Sequence, residues 1–361
     1  MAEARVIPLR GNPESAESYP PATETPRPAR DTARRRSVHK ATLPQLVPDQ
    51  ASEPRPDSQA GSPAVEQPRP APSVRAVPDR PASTGDRLAD LLGFLRHRLA
   101  GDYEIDEFGF DAELTDTILL PPLRQLYQKW FRVEVFGAHN LPKQGGALLV
   151  ANHSGTLPLD AVMTALAVHD NTPASRHLRM LGADLVFRTP VVGSLARKSG
   201  QTLACTPDAE RLLGGGHLVG VWPEGFKGIG KPFRDRYKLQ RFGRGGFVSA
   251  ALRTGVPIIP CSIVGAEEIY PKIADIKPLA RLFGLPYFPV TPLFPMLGPL
   301  GAIPLPSKWY IEFGDPIATD QQTAGAEDDP MLVFNLTDQV RETIQQTLYR
   351  LLSQRRSAFL G

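Results

Sequence analysis

The chain has 361 residues and a formal net charge of +3, room for one large domain or two ordinary ones. A charge balance this mild excludes a strongly basic nucleic-acid binder as the default, while leaving room for a local basic patch against anionic lipid. The two cysteines, Cys205 and Cys261, both lie in apolar runs. They are too few for a disulfide scaffold or a cysteine zinc cluster and read as small core residues of a cytosolic protein.

The N-terminus, "MAEARVIPLRGNPESAE", has no apolar stretch of the kind a signal peptide needs. Residues 1–84 are dense in proline, hold Tyr19 as their sole Tyr, Phe or Trp, and show no apolar period. Such a segment buries too little surface to offset its ordering entropy, so a disordered tail is expected. Its basic run "RDTARRRSVHK" is either a solvated charge cluster or a tether to anionic lipid.

From Asp86 the pattern turns helical. Leu88, Leu91, Leu92, Leu95 and Leu99 fall at i, i+3, i+4, i+7 and i+11, one apolar face, with Asp86 as N-cap and Gly101 as stop. A second helix is expected across "AELTDTILLPPLRQLYQKWF", broken or kinked at Pro121–Pro122. Residues 85–130 therefore read as an amphipathic helical segment that packs on the main domain or lies on a membrane. Its basic side chains would then snorkel.

Residues 131–361 form the main domain. Strand-like runs ("FRVEVFG", "GALLVAN", "HLRMLGA", "QTLAC", "HLVGVW", "VPIIPCSIVG", "WYIEFG") alternate with helical ones, and a long helix across "PMLVFNLTDQVRETIQQTLYRLLSQ" closes the chain. That alternation predicts an α/β fold, a mostly parallel sheet flanked by helices. The longest uncharged run, Leu282 to Ser307, carries seven prolines and cannot be a spanning helix. It reads as a loop, on the core or dipping into lipid headgroups.

The stretch "VWPEGFKGIGKPF" admits two readings. Gly225 to Lys231 spells G-x-x-x-x-G-K, most of a phosphate-binding loop. Position 232, however, is Pro, where a Mg²⁺-binding Ser or Thr is required, and no helical pattern follows. Neither "GIGKPF" nor "GRGGFV" completes a dinucleotide motif, and no G-x-S-x-G occurs. Upstream, "LLVANHSGTLPLD" ends a strand at Asn152, with His153 just beyond it and Asp160 opening the next helix, where Pro158 suits the first position. An imidazole oriented by a carboxylate at the C-terminal edge of a sheet is a standard device for deprotonating a hydroxyl. The alternative is a turn histidine beside an Asp that stabilises a helix N-terminus.

"NHSGTLPLD", then "VWPEG", then "VPIIPCSIVG" resembles the lysophospholipid/glycerolipid acyltransferase superfamily over about residues 131–315. The resemblance implies acyl transfer from acyl-CoA or acyl carrier protein to a membrane-lipid hydroxyl, with no metal and no other cofactor. It implies His153 as base, Asp160 orienting it, and Pro223, Glu224 and Gly225 lining the acceptor site. Two departures stand out. Six residues, not four, separate His153 from Asp160, so the loop must bulge. Thr206 stands where the family has a phosphate-holding Arg. Another cation then holds a phosphate, with Lys227, Lys231 and Arg188 as candidates, or the acceptor has none. The expected setting is the cytoplasmic face of the cell membrane, bound peripherally, with no nucleic-acid partner. The competing readings are an inactive lipid-binding protein on the same fold and a nucleotide binder.

Overall fold

The structure is a computed structural model that describes residues 84–359 apart from 244 and 324. The expected tail, save Thr84, lies outside the described residues.

The strands are β1 (Glu134–Phe136), β2 (Ala147–Ala151), β3 (Leu178–Gly182), β4 (Gln201–Leu203), β5 (Leu218–Val221), β6 (Ile258–Val264), β7 (Ala274–Asp275), β8 (Pro289–Val290) and β9 (Tyr310–Phe313). All but β7 and β8 join one seven-stranded sheet in the order β1-β9-β6-β2-β5-β3-β4. Every neighbouring pair in it is parallel except β6 and β9. The fold is the α/β class that the alternating pattern predicts, with each strand-like run forming a strand.

Central strands covered on both faces must be apolar throughout. All of β2 (ALLVA) and all of β6 (IIPCSIV) are buried. Alternate side chains build two cores. Leu149, Ala151, Ile259, Cys261 and Ile263 pack under the helix Leu159–Asn171 and the helical run 112–130. Leu148, Val150, Ile258 and Val264 pack under the helices Thr206–Gly214, Gly246–Thr254 and Pro330–Gln354. The closing helix buries Val333, Leu336, Val340, Ile344, Leu348 and Leu351, a stripe at helical spacing. Asp329 caps its start by accepting from the Met331 N–H at 2.8 Å.

Three expectations about the helices are corrected. The first helix runs Thr84–Ala100, starting two residues before Asp86, although it ends before Gly101 as the pattern predicts. The run 112–130 does not break at Pro121–Pro122. The prolines sit in the first turn of an α-segment, Leu120–Gln125, and a wide π-turn, Thr115–Leu119, precedes them. The shift to i→i+5 bonding moves carbonyls away from rings that have no N–H to offer, so the helix passes through. Pro158 is the residue before the helix Leu159–Asn171 rather than its first.

The first helix does not bury its leucine face. Phe94 is buried, whereas Leu88, Leu92, Leu95 and Leu99 are 56%, 57%, 46% and 90% exposed. Arg98 fixes its C-terminal end, pairing with Asp111 at 2.5 Å and stacking on Tyr103. No described helix is long and apolar enough to cross a membrane.

Candidate active site

Register delivers the site. β2 and β5 are parallel neighbours with Val150 opposite Val221. His153 and Glu224 each lie three residues past those partners, so the two chain ends leave the sheet side by side at its C-terminal edge. Asn152 anchors the exit. Its amide donates to the Ile263 carbonyl at 3.0 Å and accepts from the Ile263 N–H at 2.8 Å, standing in for a strand bond with β6.

The six-residue gap closes on itself. Gly155 takes φ +78°, a conformation that favours glycine. The Tyr287 hydroxyl donates to the Thr156 carbonyl at 2.6 Å. Asp160 Oδ2 then lies 2.7 Å from His153 Nδ1 and also accepts from the Ser154 N–H at 2.9 Å. Asp160 is fully buried and Oδ1 accepts from the Ala161 N–H. A carboxylate at Nδ1 keeps the imidazole proton there and leaves Nε2 as the acceptor, the state a base requires.

Glu224 works as a brace. It is 3% exposed. One oxygen accepts from the His153 N–H at 2.8 Å, and the other from the Gln240 N–H at 2.6 Å. Lys231 is turned inward, 3.4 Å from Glu224 and 3.0 Å from Glu267. It is engaged by two carboxylates rather than presented to solvent. Gly225 has φ +54° and ψ −143°, a conformation close to glycine-only, and lines the cavity described below together with Pro223. Gly228 is where the two loops touch: a Cβ there would lie 2.7 Å from Glu224 Cβ and 2.8 Å from His153 Cβ. Lys227 is exposed. Arg188 is exposed too, paired with Asp184 at 2.6 Å.

Burial pushes the Glu267 carboxyl up to about 7, against the pull of Lys231. The folded chain thus keeps a proton that the unfolded chain releases near its ordinary value of 4.5. Stability from this group falls as pH rises through that window and is level above it, by ~3 kcal/mol in all. Glu267→Gln removes the decline. Urea unfolding of both proteins at pH 4.5 and 7.5 checks this: the wild type should lose stability relative to the variant, and a pH-independent difference would refute it.

Against the dyad lies a cavity of about 900 Å³, near the top of the range for small-molecule sites. Leu119 and Leu123 of the run 112–130, Val162 and Ala165 of the next helix, and Leu178 and Met180 of β3 form one side. Leu185, Val192 and Leu195 of two short helices, with Phe226, Ile229 and Leu285, form much of the rest. His153 and Trp222 also line it, their ring centroids 6.0 Å apart, and Trp222 Nε1 is buried without a hydrogen-bond partner. An imidazole poised as acceptor beside a large apolar chamber suits a transferase that activates a hydroxyl near an aliphatic chain.

Residues 132–264 match the family described as Acyltransferase. Uncharacterised proteins are similar over most of the chain. One from Mycobacterium tuberculosis is 62% identical over 281 residues, 78% of this chain and 78% of its own. One from Mycobacterium leprae is 64% identical over 274 residues, 76% of this chain and 75% of its own. A human protein named DGAT1/2-independent enzyme synthesizing storage lipids is 25% identical over 200 residues, 55% of this chain and 57% of its own. Among solved structures, the 1-acyl-sn-glycerophosphate (LPA) acyltransferase PlsC of Thermotoga maritima matches with a TM-score of 0.43 and 19% identity, over 75% of this chain and 98% of that one. Residues 132–264, which carry His153, Asp160 and the Pro223–Gly225 turn, are an Acyltransferase-family domain.

His153 and the Pro223–Gly225 turn are legible in the sequence because each follows a strand, and Asp160 because it opens the next helix. It gives no sign of Asn152 as a strand substitute, of Glu267, or of Gly228. Those depend on contacts between segments far apart in the chain.

Proposed function

We propose that the chain is an acyltransferase that moves a long acyl chain from acyl-CoA or acyl carrier protein to the hydroxyl of a glycerolipid with no headgroup phosphate. The observation that carries the reading is the His153–Asp160 pair, 2.7 Å apart, facing an apolar cavity of about 900 Å³. His153 Nε2 takes the hydroxyl proton as the oxygen attacks the thioester carbonyl. The tetrahedral intermediate collapses, the C–S bond breaks, and the proton passes to the departing thiolate. Trp222 Nε1–H is a free donor near His153 for the developing oxyanion. The chemistry needs no metal and no further cofactor.

The phosphate-free acceptor is supported by the cations. Thr206 occupies the position of the family's Arg, and Lys231 is buried between two carboxylates. Lys227 and Arg188 are exposed and better placed to meet a charged carrier or an anionic surface. The name of the human relative points the same way. The bilayer is met by the exposed leucines of the first helix, by Val191 and Val192, and by Met296, Leu297, Leu300 and Ile303 of the proline-rich run. The protein is then peripheral, on the cytoplasmic face.

Product analysis with diacylglycerol and lysophosphatidate offered side by side in mixed micelles tests the acceptor. Diacylglycerol should be esterified at least tenfold faster; preference for lysophosphatidate would overturn this part of the reading. The chamber is tested by Ala165→Phe, which puts a ring into its wall. Activity on long-chain donors should drop ~10-fold or more while short-chain donors are spared, since each methylene a pocket excludes weighs ~10–200-fold. An equal loss at every chain length would place the acyl chain elsewhere.

A further inference from the structure

A second polar cluster lies in the cavity wall, away from the dyad. Asp116 comes from the π-turn Thr115–Leu119, His169 from the end of the helix Leu159–Asn171, and His177 from the residue before β3. His169 lies nine positions along the helix from Asp160, a rise of ~14 Å, so the cluster is not part of the catalytic pair. Both imidazoles line the cavity.

The geometry is convergent. His169 Nε2 lies 3.5 Å and His177 Nε2 3.6 Å from the same Asp116 Oδ1. Ligand atoms of the three residues fall within 4.8 Å of one another. An ion such as zinc, with N and O ligands at ~2.0–2.2 Å in a tetrahedron, holds neighbouring ligand atoms about 3.4 Å apart. The outer contacts also have the form metal sites use. His169 Nδ1 sits 2.9 Å from Asp170 Oδ1, and Arg124 grips that carboxylate at 2.7 and 3.1 Å. A carboxylate at Nδ1 fixes the tautomer and turns the Nε2 lone pair toward Asp116.

We propose that Asp116, His169 and His177 form a binding site for a zinc-class divalent cation. Two imidazoles and one carboxylate suit zinc and leave one position for water on the cavity side. The ion clips the helical run 112–130 to the helix Leu159–Asn171 and to β3, closing the wall of the chamber at the end remote from His153. It takes no part in acyl transfer, which His153 and Asp160 carry without it. The competing occupant is a proton: burial alone would lower the His169 pKa, but Asp116 and Asp170 outweigh it and raise it to about 9.

The test uses the full chain, stripped with chelator and titrated with Co²⁺ for its visible absorption, then with Zn²⁺ in competition. Wild-type protein should bind one equivalent and melt at a higher temperature with Zn²⁺. Asp116→Asn and His177→Gln, both at partly exposed positions, should each weaken Co²⁺ binding at least tenfold with circular dichroism unchanged. His153→Ala should bind as the wild type does. A proton-only cluster would show no stoichiometric Co²⁺ spectrum and no shift in melting temperature, which would overturn the proposal. So would binding that survives both cluster variants or is lost with His153→Ala.

Discussion

His153→Ala lowers the turnover of acyl transfer by ~10²–10⁴-fold, the usual share of a general base, and leaves the melting temperature close to that of the wild type. The expectation follows from where the side chain sits. The fold's hold on residue 153 is through the backbone: its N–H donates to Glu224, and the loop around it is tied by the Ser154 N–H to Asp160. Removing the imidazole exposes one face of Asp160 to the cavity and costs one hydrogen bond. It deletes no core packing. The paired variant Asp160→Asn should fall by a similar factor for another reason, because an amide at Nδ1 no longer dictates which nitrogen carries the proton. Turnover and thermal melts of the two variants check this. Near-wild-type turnover in His153→Ala would remove the base from the mechanism.

Glu224→Ala is expected to damage fold and activity together. Its carboxylate accepts two backbone N–H groups and pairs with a lysine that is itself 8% exposed. Deleting one partner of a buried ion pair costs up to ~3–5 kcal/mol, and Lys231 would stay buried with Glu267 as its one remaining carboxylate. Here the His153 and Gln240 N–H groups lose their acceptor as well. The result should be a urea midpoint well below the wild type's, with activity lost even where the variant stays folded, as the His153 loop is no longer tied to the Pro223–Gly225 turn. Glu224→Gln keeps an acceptor oxygen and should recover part of the stability. A Glu224→Ala protein as stable as the wild type would mean the brace is not structural, and the carboxylate would then be free to contact substrate.

Much of the fold is legible in the sequence because parallel strands buried on both faces are nearly continuous apolar runs, and β2 and β6 read that way residue by residue. The helices are legible from their apolar spacing, except at the start of the first helix, at Pro121–Pro122 and at Pro158. At Pro121–Pro122 the local rule predicts a break or a kink, and the chain instead continues through a π-turn ahead of the prolines. The site is legible in part. His153 and Glu224 are polar residues just past strand ends and Asp160 opens a helix, positions that a linear reading can find. That the six-residue loop returns Asp160 to His153 depends on Gly155 and on Tyr287, more than a hundred residues away. Lys231 shows the limit most plainly. In the sequence it is one of three candidate cations with Lys227 and Arg188, whereas in the fold it is the buried one of the three, held by Glu224 and Glu267. The Asp116, His169 and His177 cluster carries no spacing signal at all, since three separate segments supply it.

The most direct test of the central claim is thiol release from a long-chain acyl-CoA by the purified protein in mixed micelles, with and without diacylglycerol, wild type beside His153→Ala. Release should depend on the acceptor, with ester formed mole for mole with thiol, and both should be lost in the variant. Folded wild-type protein that releases no thiol with any lipid acceptor or thioester carrier, or release that His153→Ala leaves intact, would contradict that claim.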